Sequence, residues 1–144
     1  MLSNGYTTNY QLAEYATKNK IPVHAIVYMN DLYDKVDLKY GGYILNLDPQ
    51  SGHWVAVFIP KDSDYSYYFD SYGLVPPEPV KWLSQKMKKK DVVFSNKQVQ
   101  ALNSHFCGQY SLLFLEYMQK KKGSYKKRYE KFLNNFKDYK NTHY

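Results

Sequence analysis

The residue whose type and position best suit covalent chemistry is Cys107, the only cysteine of the chain. Gly108 follows it, and residues 109–118 (QYSLLFLEYM) carry one charge, Glu116. A run this apolar predicts a helix buried on most sides, with Cys107 in its first turn. The unpaired N–H groups and the positive dipole end of that turn favour a thiolate, which is the reactive nucleophile. A free cysteine is more often a small buried packing residue, so the other residues of the chain must decide.

Two further segments supply a base and an acid. Residues 52–60 (GHWVAVFIP) place His53 at the start of a predicted strand, and residues 66–73 (SYYFDSYG) place Asp70 at the end of the next. If these strands pair antiparallel through a short polar turn, the start of one lies beside the end of the other. Asp70 would then orient the imidazole of His53, whose other nitrogen would face Cys107.

Acyl transfer also requires hydrogen-bond donors for the oxyanion of the tetrahedral intermediate. Gln100 carries a side-chain amide seven positions before Cys107, on a loop that can curl back over it. The backbone N–H of Cys107 is the natural second donor. Trp54, next to the histidine, is expected to wall the site against water or to pack against the sheet, and the two roles are compatible.

The elements that must position these residues predict an α+β domain. Helices are expected at residues 7–19, 78–90, 107–118 and 124–139, and strands at 21–29, 43–47, 53–59, 65–70 and 91–95. Short polar turns join three consecutive strands, which indicates an antiparallel meander. A chain of 144 residues is expected to form one domain, residues 1–144, large enough for a substantial core.

The composition of the chain indicates in which cellular compartment the protein is expected. One cysteine excludes an intramolecular disulfide. No stretch approaches the roughly 18 uninterrupted apolar residues of a transmembrane helix, so no membrane partner is expected. Residues 1–10 (MLSNGYTTNY) lack the apolar core of a secretory signal. These features predict a soluble intracellular protein that is not secreted.

The positive charge is concentrated in one segment. Residues 120–140 contain nine Lys or Arg residues against Glu130 and Asp138, and their net charge of +7 equals that of the whole chain. Such a segment can bind polyanions, including nucleic acid, in a salt-dependent way. A lysine-rich amphipathic helix is more often only a solvated face, and both interpretations stay open here.

Together these residues resemble the adenovirus-type (adenain-like) viral maturation proteases, which share their fold and triad with SUMO-specific proteases. The resemblance is carried in chain order by His53-Trp54, by Phe-Asp-Ser-Tyr-Gly at residues 69–73, by Gln100, and by Cys107-Gly108 at the head of an apolar helix. The N-terminal helix, the Asn30-Asp31 step and residues 41–47 are similar to proteases of virophages and Polinton transposons. The spacing from Gln100 to Cys107, with Asn103 and Ser104 inside it, resembles that of adenovirus proteases.

The resemblance implies a papain-like cysteine protease fold, with a central, mostly antiparallel sheet packed by helices and the nucleophile at the N-terminus of a buried helix. It implies an endopeptidase that processes viral capsid or core precursor proteins during virion maturation at glycine-containing sites. The implied catalytic residues are Cys107, His53, Asp70 and Gln100. The implied substrate-binding residues are Trp54, Asn103 and Ser104.

The resemblance also bears on cofactors, partners and place of action. It implies no required cofactor and no metal, and it leaves DNA or a capsid-derived peptide as an activator. Lys126, Lys127 and Arg128 are the candidate DNA contacts. Adenovirus enzymes usually carry Glu at the position of Asp70, and they have a second cysteine that can join the activating peptide by a disulfide, which this chain lacks. The expected locations are the virion and the virus factory in the cytoplasm, or the nucleus.

Two alternatives follow from the same residues. The first is a deconjugating protease for SUMO or ubiquitin, with the same chemistry on a folded substrate. The second is a catalytically inactive fold that binds nucleic acid through its lysine-rich helix.

Overall fold

The computed structural model describes residues 8–50, 52–101 and 106–141. The helices are Asn9–Lys18 (α1), Glu78–Lys86 (α2), Cys107–Lys120 (α3) and Tyr125–Leu133 (α4), with short 3-10 helices at Met29–Tyr33 and Tyr139–Asn141. The strands are Ala25–Tyr28 (β1), Gly41–Asp48 (β2), His53–Ile59 (β3), Tyr65–Phe69 (β4) and Asp91–Val93 (β5). This content confirms the predicted α+β class. Within the described segments, no helix combines the length and apolar character needed to cross a membrane.

The five strands form one sheet in the order β1-β2-β3-β4-β5. Strands β2, β3 and β4 pair antiparallel, which confirms the predicted meander. The two outer strands add parallel pairs, β1 with β2 and β5 with β4, so the sheet is mixed at its edges. The β2–β3 pairing runs from Gly41 opposite Ile59 to Asp48 opposite His53, so it fixes both ends of β3, and the candidate base lies at one of them.

Alternating side chains of β3 fill two separate cores. Trp54, Ala56 and Phe58 face α1, α3 and α4, and they are buried with Leu112 and Leu115 of α3. Val55, Val57 and Ile59 face the opposite side, where Val80 and Leu83 of α2 cover them. A strand buried on both faces has few polar positions, which explains the continuous apolar run at residues 54–59. The sheet is therefore a middle layer between two layers of helices.

Helix α2 ends four residues before its predicted C-terminus. Lys88 has a positive φ of 60°, in the left-handed region that commonly ends helices. The N–H of Lys89 then donates to the carbonyl of Ser84 at 3.0 Å, closing the last turn. The lysine-rich continuation to residue 90 therefore lies outside the helix, because the backbone reverses at Lys88.

Helix α4 also ends early, at Leu133 instead of residue 139. The side-chain amide of Asn135 donates to the carbonyls of Lys131 and Phe132 at 3.1 and 3.3 Å. These bonds satisfy carbonyls that a continuing helix would have used. Phe136 still packs against Phe132, with ring centroids 5.2 Å apart, so the apolar contacts of the segment persist beyond the helix.

Candidate active site

Cys107 is the first residue of α3, as predicted, and it is buried where α3 packs against β3. The backbone N–H of Trp54 donates to Sγ at 3.3 Å, and Sγ lies 3.7 Å from the carbonyl oxygen of Gly52. The close approach depends on Gly108, where a Cβ would lie 3.0 Å from a Leu12 methyl and 3.4 Å from the Trp54 ring. The first turn of α3 therefore lies directly against the start of β3.

The strand pairing brings His53 and Asp70 together. Their strands pair through Ala56 with Phe69, and Asp70 is the next residue after β4. His53 Nε2 lies 2.9 Å from Asp70 Oδ1, which confirms the contact that the hairpin predicted. The Asp70 side chain is fully buried, and the His53 side chain is 12% exposed. A buried carboxylate fixed on one ring nitrogen holds the orientation of the imidazole.

The second ring nitrogen of His53 is left for the cysteine. Nδ1 is buried and has no hydrogen-bond partner among the residues that the structure describes. Burial by itself lowers the pKa of His53, but the hydrogen bond to Asp70 and the interaction with Cys107 outweigh it and raise the pKa from 6.5 to about 9. At neutral pH the ring is therefore an imidazolium, with one N–H toward Asp70 and the other on the side of Cys107.

The raised pKa of His53 predicts a pH-dependent stability. The folded protein holds the proton more tightly than an unfolded histidine, whose pKa is 6.5. This contribution to the free energy of unfolding is therefore fully present below about pH 6.5 and is lost as the pH rises through about 9. We expect a loss on the order of 3 kcal/mol.

Urea unfolding of the wild type and His53→Gln at pH 6, 7.5 and 9.5 measures this loss. The difference between their free energies of unfolding should shrink toward the highest pH. A difference that does not change with pH would show that Asp70 and Cys107 do not stabilise the imidazolium.

Tyr72 is a site residue that sequence reasoning did not select. Its ring is stacked on the His53 imidazole, with centroids 4.4 Å apart and planes inclined by 14°. Its backbone N–H donates to Asp70 Oδ1 at 2.8 Å, the oxygen that also contacts His53. Continuing the β3–β4 register beyond the strands places residue 72 opposite residue 53. The β3–β4 register would therefore have identified Tyr72 as a neighbour of His53. The sequence predicts that the two strands pair, but it does not give which residues face each other.

We expect Tyr72→Leu to lower the pKa of His53, because a phenol face beside an imidazolium stabilises the cation by about 0.5–1 kcal/mol. This corresponds to about half a pKa unit. Tyr72→Phe keeps the aromatic face and should leave the pKa of His53 within about 0.2 units of the wild type. NMR titration of the His53 ring protons measures both. Equal titration of the Leu and Phe variants would contradict the stabilising role of the stack.

Gln100 is buried in a segment that runs beside the acid. Its backbone N–H and that of Val99 donate to the carbonyl of Ser71, at 3.3 and 2.9 Å. Ser71 directly follows Asp70, so the structure brings Gln100 to the turn that carries the acid. Gln100 is 2% exposed, so the residue is buried next to this turn.

A cavity of about 480 Å³ opens beside the cysteine. Its lining includes Gly52 and Trp54, which both contact Cys107 Sγ, as well as Tyr28, Asp31 and Asn46. Trp54 is 4% exposed and belongs to the core as well, so it both walls the cavity and packs against the sheet. Asn103 and Ser104, the other two predicted substrate-binding residues, lie outside the described residues.

The three candidate DNA contacts differ in their surroundings. Lys126 and Lys127 are exposed in the first turn of α4. Arg128 instead donates from Nη1 to the carbonyl of Met118 at 2.7 Å and from Nε to that of Gly123 at 3.0 Å. Its guanidinium therefore satisfies backbone carbonyls at and just after the C-terminal end of α3, which is a structural role.

The sequence of the chain also matches a known protein family, and this match does not depend on the geometry described above. The sequence profile described as "Ulp1 protease family, C-terminal catalytic domain" matches residues 33–143. The chain belongs to the Ulp1 protease family. The matched range contains Cys107, His53, Asp70 and Gln100, and the family assignment confirms the predicted papain-like fold. The match is to the Ulp1 family in general and does not single out adenovirus or virophage enzymes.

Two solved structures share the fold of this Ulp1-family chain. The selenomethionine form of the ASFV pS273R protease has a TM-score of 0.55 and 21% identity, covering 91% of this chain and 66% of that chain. Another structure of the ASFV pS273R protease has a TM-score of 0.50 and 22% identity, covering 94% and 68%. This chain thus spans about two thirds of the length of those chains, and the likeness establishes the fold alone. A search of curated proteins finds no match.

Proposed function

We propose that this chain is a cysteine endopeptidase in which Cys107, His53, Asp70 and Gln100 form the catalytic centre. One observation carries the proposal: the Asp70 carboxylate holds one nitrogen of His53, and the other nitrogen is left on the side of Cys107. An imidazolium beside a sulfur at a helix N-terminus favours the thiolate. The Ulp1 family assignment supports this chemistry.

In the acylation step, Cys107 Sγ attacks the scissile carbonyl carbon and the carbonyl oxygen becomes an oxyanion. The N–H of Cys107, in the first turn of α3, and the side-chain amide of Gln100 donate hydrogen bonds to it. When the tetrahedral intermediate collapses, the C–N bond breaks and His53 gives its Nδ1 proton to the leaving amine. The products are a thioester on Cys107 and the free C-terminal fragment.

In the deacylation step, His53 is neutral and accepts a proton from water as the water attacks the thioester carbon. The oxyanion forms and collapses again, the C–S bond breaks, and the acid fragment leaves. Asp70 keeps the ring oriented through Nε2 in both steps, while Tyr72 covers its face. The enzyme returns to the thiolate–imidazolium pair without a cofactor.

The proposed substrates are viral capsid or core precursor polypeptides, cut at glycine-containing sites during virion maturation, in the virion, the cytoplasmic virus factory or the nucleus. Two things support this class: the order of motifs along the chain, and the fold shared with a protease of ASFV. DNA, through Lys126 and Lys127, or a capsid-derived peptide is the proposed activator. Arg128 is left out of this role because its guanidinium is bonded to the backbone.

A second candidate function is removal of SUMO or ubiquitin-like modifiers, which the Ulp1 family assignment favours. Both candidates use the same catalytic residues, so the substrate alone separates them.

The test compares the purified chain on two kinds of probe. One is a peptide library containing glycine-rich sequences, read by mass spectrometry, and the other is SUMO and ubiquitin carrying a C-terminal coumarin amide. We expect Cys107-dependent cleavage of glycine-containing peptides, with kcat/KM at least about tenfold above that for either conjugate. A preference for a conjugate would replace the proposed substrate class with the deconjugating one. No cleavage of either probe, with or without added DNA, would overturn the protease proposal.

A further inference from the structure

The segment that leads to Gln100 has no regular secondary structure of its own. It runs from the end of β5 at Val93 to Gln100, outside every helix and strand. Hydrogen bonds to neighbouring segments must therefore hold it in place. On one side the segment bonds to the turn after Asp70, since Val99 and Gln100 both donate to Ser71.

The turn and the segment are in tight contact. Gly73 has a φ of +73°, and a Cβ there would lie 2.5 Å from the carbonyl oxygen of Asn96. The Gln98 side-chain amide donates to the carbonyl of Gln100 at 3.0 Å, which stiffens the end of the segment. A displacement of the segment is therefore passed directly to Gln100.

On its other side the segment is held by residues 138–140. Asp138 Oδ1 accepts from the N–H of Gln98 at 3.2 Å, and the N–H of Tyr139 donates to the carbonyl of Gln98 at 2.9 Å. These two hydrogen bonds hold both the N–H and the carbonyl group of Gln98. Asp138 Oδ1 also accepts from the N–H of Lys140 at 3.0 Å, so the clasping residues are bonded to one another.

Lys140 joins the segment to the turn. Its Nζ donates to the carbonyl of Asn96 at 2.9 Å and to the carbonyl of Gly73 at 3.2 Å. One ammonium group thus links the turn after Asp70 to the middle of the segment that ends at Gln100. A cation bonded to two carbonyls makes stronger bonds than a neutral donor would.

We infer that residues 138–140 are a clasp that positions Gln100 and the turn after Asp70 by holding residues 96–100 of this segment. Asp138 and Lys140 are positioning residues, and their effect on the reaction rests on the proposed function. Oxyanion donors must be placed accurately, because an error of about 1 Å can cost up to about 100-fold in rate. Partial loosening of the clasp should therefore lower kcat without removing a catalytic group.

The test uses two disrupting variants, Asp138→Ala and Lys140→Met, each with a conservative partner. Asp138→Asn keeps an accepting oxygen, and Lys140→Arg keeps a cationic donor. Lys131→Met is the control, since it removes one exposed lysine of α4 by the same substitution. Thermal unfolding checks that each variant is folded.

Amide hydrogen exchange at Val99 and Gln100 tests the clasp without any substrate. Both amides should exchange at least about tenfold faster in the two disrupting variants, because local opening becomes easier. The conservative variants and Lys131→Met should exchange as the wild type does. Unchanged exchange in both disrupting variants would overturn the clasp, whether or not the chain cleaves peptides. If neither disrupting variant folds, the contacts serve the fold in general, which would also overturn it.

Kinetics then test the consequence for Gln100. We expect kcat to fall about tenfold in the disrupting variants, with KM within about twofold. Inhibition by a peptide aldehyde should weaken by the same factor, because its adduct with Sγ places an oxyanion in the hole. Alkylation of Cys107 by iodoacetamide forms no oxyanion and should stay within about twofold of the wild-type rate. Faster exchange with an unchanged kcat would overturn the positioning role. A wild-type protein that cleaves no peptide would instead contradict the proposed function.

Discussion

Replacing Cys107 with alanine should lower kcat/KM by at least about 10⁴-fold, because no other group in the proposed centre can form the thioester. His53→Ala should cost a similar factor, since the imidazole both stabilises the thiolate and protonates the leaving amine. Steady-state hydrolysis of the best peptide from the library measures both. Binding of the uncleaved peptide should change by less than about twofold in Cys107→Ala, since the sulfur contributes to the transition state.

The double variant gives the sharper test. If nucleophile and base act as one unit, Cys107→Ala with His53→Ala should be no slower than the worse single variant, within about threefold. Multiplicative losses would mean that the two residues contribute independently, which the proposed mechanism does not allow. Lys131→Met, on the exposed side of α4, serves as the unaffected control.

Gln100→Ala is expected to lower kcat by about 10²–10³-fold, the loss typical of one missing oxyanion donor. KM should stay within about twofold, because the oxyanion exists only in the transition state and the intermediate. Alkylation of Cys107 by iodoacetamide should be unchanged, since that reaction develops no oxyanion. Stopped-flow and steady-state kinetics on one peptide separate the two parameters.

The control for Gln100→Ala is Gln85→Ala, the same substitution at an exposed position of α2. Helix α2 covers the face of the sheet opposite α3, so Gln85 is remote from Cys107. Its kcat should match that of the wild type. If Gln100→Ala changes kcat by less than about fivefold, the oxyanion would have to be held by other donors, and Gln100 would be a packing residue.

Much of the candidate site followed from short-range patterns. His53 and Asp70 were expected to meet because two apolar strands joined by a short turn pair antiparallel, and they lie 2.9 Å apart. Cys107 was expected at the start of a helix because an apolar run begins there, and α3 begins at that residue. Both predictions depend only on segments that are close together in the chain: one hairpin for His53 and Asp70, and one helix for Cys107. Local sequence patterns are therefore sufficient to make them.

Other features were missed because they depend on exact register or on distant parts of the chain. Tyr72 stacks on His53 only because the β3–β4 pairing, continued past the strands, places the two residues opposite each other. The predicted end of α4 at residue 139 was wrong because Asn135 bonds back to the helix carbonyls. The residues beyond it instead contact Gln98, a meeting of segments about 40 residues apart that no local pattern reports.

By itself, the sequence determined which residues could serve as nucleophile, base, acid and oxyanion donor, and which elements would carry them. Residue type and periodicity set these properties, and both are local. Only the tertiary structure decided how the groups approach one another: which imidazole nitrogen Asp70 takes, how Gly108 lets α3 lie against β3, and what holds Gln100. Those outcomes depend on packing between segments far apart in the chain, where displacements of a fraction of an ångström decide whether a hydrogen bond forms.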